Sequence, residues 1–267
     1  MTLYWIYDLP DILLGALIMS VWIAVGLGGL RLVRSAVARM WGDTPQNDVV
    51  SFFFAGLGVF YGITLGLIAI GAWEDYSDAG NQVGREAATI ATLWRDVASY
   101  PEPIRTALHQ ELLGYTRFVI DSAWPVQSKG KLPMGDARRL TAFQDQLFAF
   151  NPASPSQTAM HAEALRAFNA LVLARSLRLE LVDGGLPAVV WWVVLIGGVL
   201  NVAITWLFVI RPPMAHVMLT GSLSALIGLL IFLIAAMDNP LRGEMNISPT
   251  PYQIVYERLM TADIAKP

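Results

Sequence analysis

Four long apolar stretches, two on either side of a polar middle, dominate the pattern of the chain. They run over Asp11–Val33, Val49–Trp73, Gly185–Ile210 and Pro213–Met237. Each reaches the length of about 20 apolar residues that crosses a hydrocarbon core of about 30 Å. None has Asp, Glu, Lys or Arg at its centre, where a charge is costly. A soluble core accounts for one such stretch but not for four, so the pattern predicts an all-α integral membrane protein.

The first predicted membrane helix starts after Asp8-Leu-Pro10, where proline presets φ. It ends in Gly26-Leu-Gly28-Gly29 and a basic turn holding Arg31, Arg34 and Arg39. A connection with Gly42-Asp-Thr-Pro45 leads to the second helix. That helix leaves the membrane at Trp73-Glu-Asp-Tyr76, as an interfacial aromatic belt requires. Arg211-Pro212-Pro213 makes a tight turn between the last two helices.

From residue 74 to 183 the apolar positions recur with helical period, and no strand alternation persists. Val83, Ala87, Ile90, Leu93, Trp94 and Val97 form one stripe. A second helix covers Ile104–Ala123, with Trp124-Pro125 expected to stop it. Asp136–Phe150 is a short helix, and Ser156 or Thr158 caps a last one running to Val182. The expectation is four membrane helices with a helical bundle inserted between the second and third. The bundle's outer helices continue from the second membrane helix and into the third. The chain then divides into residues 1–73, 74–183, 184–237 and a tail, 238–267. In the tail, Ser248 and Pro249 signal a helix over 249–262.

Composition agrees: 55% of residues are hydrophobic and 15% charged, and mean hydropathy is +0.51. The net charge of −3 and the lack of Lys/Arg clusters argue against a nucleic-acid partner. Without cysteine, thiolate catalysis and Cys-based metal sites are excluded. The N-terminal stretch lacks a basic n-region and a small-residue cleavage site, so it reads as an uncleaved first membrane helix. Arg31, Arg34, Arg39 and Arg211 crowd the short loops. The positive-inside rule then favours an exterior bundle.

Candidate chemistry is sparse. Gly58, Gly62 and Gly66 recur every four residues on one face of the second helix. Such a stripe lets helices approach closely, either within the protomer or around a symmetry axis as a narrow pore. In the pore reading Phe52, Phe53 and Phe54 form a hydrophobic constriction. Asn201 is expected to bond a neighbouring helix, and His216 to lie at the interface. His109 and His161 read as solvated surface residues, and Asp75 and Asp78 as a wetted helix end. No spacing fits a metal site or cofactor, and an enzyme is not expected. Glu74, Arg85, Glu86, Arg95, Asp238, Arg242 and Glu244 gather where membrane helices emerge. They read as a rigid ion-paired junction or as a charged vestibule for ions.

The same segments resemble a known family. Tyr61-Gly62-Ile-Thr-Leu-Gly66 through Trp73-Glu74-Asp-Tyr76 and Arg85-Glu86-Ala87 is similar to the first signature of DUF4239, a bacterial membrane family described as bestrophin-like. Leu93-Trp94-Arg95, Tyr100-Pro101 and Asp238-Asn-Pro240-Leu-Arg242-Gly243-Glu244 with Ile247-Ser248-Pro249 fit as well. Asp121-Ser-Ala-Trp124-Pro125 departs from the Glu-Trp-Pro pattern expected there. The resemblance covers nearly the whole chain. It implies a bacterial inner-membrane protein, a pentameric homo-oligomer and an anion pore lined by the second helix. It also implies a cytoplasmic bundle, against the charge count. No acidic calcium clasp of the bestrophin type is visible.

The expected function is therefore an oligomeric channel passing small inorganic ions, with the lipid bilayer and further copies of the chain as partners. The alternative is a non-conducting sensor or scaffold whose bundle binds a ligand or partner protein. A stator-like proton-driven subunit shares only the topology, because no membrane carboxylate is supplied.

Overall fold

The computed structural model describes residues 9–41 and 46–264; the expected connection through Gly42-Asp-Thr-Pro45 and the residues up to Asp8 lie outside them. Among the described residues there are helices and loops but no strand. Their order is α1 Asp11–Trp41, α2 Asn47–Val97, α3 Ile104–Phe118, α4 Trp124–Gln127, α5 Asp136–Ala149, α6 Pro155–Glu180, α7 Ala188–Thr205, α8 Pro213–Asp238, α9 Thr250–Val255 and α10 Thr261–Ile264. Two π-turns, Val119–Ala123 and Tyr256–Met260, sit within the α3–α4 and α9–α10 runs.

The chain forms two units. The first comprises residues 1–76, 185–238 and 243–245, and the second residues 77–184, 239–242 and 246–267, so α2 contributes to both. In the first unit α1, α7, α8 and the first part of α2 are long and apolar enough to cross a membrane. Glycines bring them together. A Cβ on Gly228 would stand 2.9 Å from the Cα of Met19, so α8 meets the backbone of α1 there. Gly26 lies against Ser224, and Gly29 under Trp206, whose Nε1 donates to the Gly26 carbonyl at 2.9 Å. These glycines were expected to end the first helix. They instead mark helix-to-helix contact in its interior, where a missing Cβ permits close approach.

Several boundaries shift for local reasons. Arg31, Arg34 and Arg39 lie on α1 rather than in a turn. The second helix does not stop at Trp73 but runs unbroken to Val97, so Asp75 and Asp78 are on an exposed helix face. The third ends at Thr205, short of Ile210, and α6 does not flow into α7, because residues 184–187 break the helix. Asn201 bonds the Gly197 carbonyl of its own helix at 3.0 Å, not a neighbour. His216 is buried, with Nε2 donating to Thr205 O at 2.8 Å.

In the second unit, the apolar stripe of α2 (Val83, Ala87, Ile90, Leu93, Trp94, Val97) is buried against Leu108, Leu112, Phe143, Phe168 and Leu171. Ser154, rather than Ser156 or Thr158, caps α6: its Oγ accepts from Gln157 N at 3.2 Å. Trp124-Pro125 does not end the α3 run. The π-turn just upstream lets Trp124 N reach Val119 O, and the chain enters α4 with proline in its first turn. The tail is helical from Thr250, two residues past the expected Ser248 cap, and continues through the π-turn to Ile264.

The two histidines of this unit are half-buried and held by bonds and ring contacts, rather than freely solvated. His109 stacks on Trp94 at 3.9 Å, and its Nε2 donates to the Trp94 carbonyl at 3.0 Å. His161 Nδ1 meets Tyr100 Oη at 2.7 Å. Burial holds the pKa of His109 below the ordinary 6.5, aided by Arg105 and outweighing the bond to Trp94 O. A depressed histidine pKa favours the neutral ring in the folded state. Its contribution is intact above pH 6.5 and shrinks as pH falls from 6.5 toward the folded value. We expect the stability gap between wild type and His109→Gln, measured by thermal unfolding in detergent, to narrow as pH falls from 8 to 5.

Candidate pore helix and buried charge cluster

The membrane half of α2 is docked along one side only. Val50, Leu65 and Ala72 are buried, and Tyr61 Oη donates to Val194 O on α7 at 3.0 Å. Asn47 exchanges two 2.9 Å bonds with Val209, and Phe54 meets Phe208 edge to face at 6.1 Å. Only 6% of its most apolar window is buried, against 22–33% for α1, α7 and α8. An apolar helix so little covered within its own protomer presents its surface to lipid or to other copies.

That open surface has two textures. At about 100° per residue, Ser51, Ala55, Gly58, Gly62 and Gly66 make a small-residue face beside the docked one. A Cβ on Gly62 or Gly66 would meet nothing within 4 Å, and one on Gly58 would only touch Asn201 Oδ1 at 3.8 Å. The glycines therefore do not serve close packing inside the protomer. Next to them stand the exposed Phe52, Val59, Ile63, Leu67 and Ile70. The same period separates the three phenylalanines: Phe52 flanks the glycine face, Phe53 lies about 180° from Gly62, and Phe54 is held by Phe208.

The junction charges divide between the units. In the first, Asp238 Oδ1 accepts from Leu186 N at 2.6 Å. Glu244 Oε2 accepts from Asp11 N at 3.1 Å, placing a carboxylate on the orphan donors that begin α1. Glu74 is exposed on α2, beside the stacked Trp73 and Tyr76. Arg85 and Arg95 are exposed on the part of α2 in the second unit. There Arg242 lies over Gly130, whose φ of +66° suits glycine and whose missing Cβ leaves room for the guanidinium.

Glu86 departs most from expectation. It is fully buried, and its partner is Arg178 of α6, with Nε donating to Oε2 at 2.7 Å. Tyr115 Oη donates to Oε1 at 2.6 Å and Tyr252 Oη to Oε2 at 3.0 Å. One carboxylate thus gathers α2, α3, α6 and α9. Burial alone would lower the pKa of Arg178, but the Glu86 carboxylate more than reverses this and the guanidinium stays charged. Burial, then the Glu86 charge, raises both tyrosines well above 10.0, so they remain donors. Sequence reasoning missed Arg178, Tyr115 and Tyr252 as partners. A signal was present: Glu86 lies in the Val83–Ala87–Ile90 stripe, and Arg178 stands seven residues beyond the buried Leu171 on the apolar side of α6. Two lone charges on two apolar faces are natural partners.

Removing one member leaves the other charged and buried, at a cost of about 3–5 kcal/mol. We expect that loss in Glu86→Gln and in Arg178→Met on denaturant unfolding. Glu86→Gln/Arg178→Met should fall well short of the sum of the two.

Among the described residues no cluster of His, Asp and Glu is suited to a metal ion. No curated protein matches the sequence. The structure is similar to crystal structures of two point variants of a bacterial bestrophin homologue from Klebsiella pneumoniae. Their TM-scores are 0.68 and 0.69 at 12% and 11% identity, covering 94% of this chain and 99% of theirs. A further crystal structure, of a membrane protein variant, matches with TM-score 0.69 at 11% identity over the same shares. Likeness at this identity speaks for the fold. At the level of sequence, residues 20–252 match the bestrophin-like domain. With its four membrane-length helices, this integral membrane protein belongs to the bestrophin-like family.

Proposed function

We propose that copies of this chain assemble in the bilayer around an axis lined by α2 and conduct small anions. The observation that carries this reading is the glycine face of α2. A Cβ on Gly62 or Gly66 would meet nothing within 4 Å, although Tyr61 on the adjoining side of the helix bonds α7. Around an axis, Gly58, Gly62 and Gly66 would keep a narrow path open. Phe52, which flanks that face and is exposed, whereas Phe54 is held by Phe208, would supply an apolar ring that gates by dewetting. The adjoining Val59, Ile63 and Leu67 would face lipid or the neighbouring copy. Family membership supports a channel, and the bestrophin resemblance favours anions and a five-membered ring. Glu74, exposed on α2 within the same unit, would shape the field at the pore mouth.

Flux assays on the purified protein in liposomes test the proposal. We expect chloride or iodide flux above that of protein-free vesicles, falling about tenfold or more in Gly62→Leu with insertion intact, because a bulky side chain would fill a narrow pore. Anion flux unchanged in Gly62→Leu would remove α2 from the pore. Absence of flux from correctly inserted wild-type protein would favour a non-conducting sensor or scaffold.

A further inference from the structure

A groove of about 410 Å³ opens on the second unit, between α3, α5 and the tail. That volume lies within the range of small-molecule sites. Arg139 of α5 lies against α3 at Gly114, where any Cβ would collide with its Nη1. The glycine thus leaves room for the guanidinium of this exposed arginine to lie along the groove wall. Arg139 pairs with no carboxylate among the described residues, whereas Arg117 on the same wall is matched by Asp121 at 3.3 Å. Among the described residues the groove therefore carries one positive charge without a carboxylate partner.

The walls add both polar and apolar character. Ser122 lies in the π-turn Val119–Ala123, and Tyr256 opens the π-turn Tyr256–Met260. π-turns sacrifice regular helical bonding and concentrate at functional sites; here two of them border one groove. Leu113 and Phe118 supply an apolar side. A planar fork with flanking hydroxyls and an apolar wall matches a carboxylate on a small hydrophobic body.

We propose that this groove binds a small organic carboxylate, held by Arg139 over Gly114, with Ser122 and Tyr256 bonding its oxygens and Phe118 covering its apolar part. The groove is lined by residues of the second unit alone, and binding there does not depend on whether the protein conducts.

The test is calorimetric titration of the full-length protein in detergent with benzoate, in the presence and absence of sulfate at matched ionic strength. We expect saturable one-to-one binding that sulfate does not displace. Arg139→Gln should weaken it by about tenfold or more, the scale of a lost charge-assisted bond. Arg138→Gln, the same charge change one exposed position away, should bind as wild type does. Arg139→Gln is a surface change, and its thermal midpoint would verify that the fold is retained. No saturable heat, equal weakening in both variants, or undiminished binding in Arg139→Gln would overturn the proposal. Full displacement by sulfate would overturn the carboxylate assignment.

Discussion

The carboxylate of Glu86 is the point on which the second unit depends. A buried charge of this kind is tolerated only if its lone pairs are filled, and four donor contacts from three side chains fill them. Each donor comes from a different stretch of chain. The geometry of the ion pair therefore sets the depth at which α3, α6 and the tail can sit against α2. Leucine contacts alone would tolerate sliding by a side chain's width; a bidentate pair with two phenols does not. Nη1 of Arg178 is buried without an acceptor among the described residues, so the cluster gives register at some expense of stability.

The two halves of α2 show one helix meeting two solvents. In the second unit its apolar stripe, from Ala79 to Val97, is sealed by other helices. In the first unit it is apolar on nearly all sides yet scarcely covered within the protomer. In water such exposure would be a liability; in a bilayer the apolar side chains are at ease, and the small ones mark where something other than lipid approaches. The glycines of α1 and α8 serve the opposite purpose, since Gly26 and Gly228 are filled by neighbouring atoms of the same protomer.

Much of the architecture was legible in the sequence because length and hydropathy are local properties. The four apolar stretches, the helical period of residues 74–183 and the short helix from Asp136 could be read directly. Boundaries were harder where a tertiary contact overrode a local signal. Pro125 normally stops a helix, but a π-turn absorbs the missing donor. Trp73 and Tyr76 resemble an exit from the membrane, yet the helix does not end there. Gly26 and Gly29 looked like a helix end because glycine serves both as a terminator and as a contact point, and only a neighbour such as Trp206 distinguishes the two.

The candidate sites divide in the same way. The repeat of Gly58, Gly62 and Gly66 placed them on one face from the sequence alone, since a helix of fixed period leaves no choice. Whether that face was filled or open required the positions of α7 and α8. Glu86 was recognisable as a misplaced charge, but pairing it with Arg178, 92 positions away, was beyond any local pattern. The sequence by itself determined the membrane class and the helical framework, because these follow from the free energy of moving each segment out of water. The tertiary structure alone decided which charges are partners and which glycines are open, because both depend on distances between segments that the chain brings together only on folding.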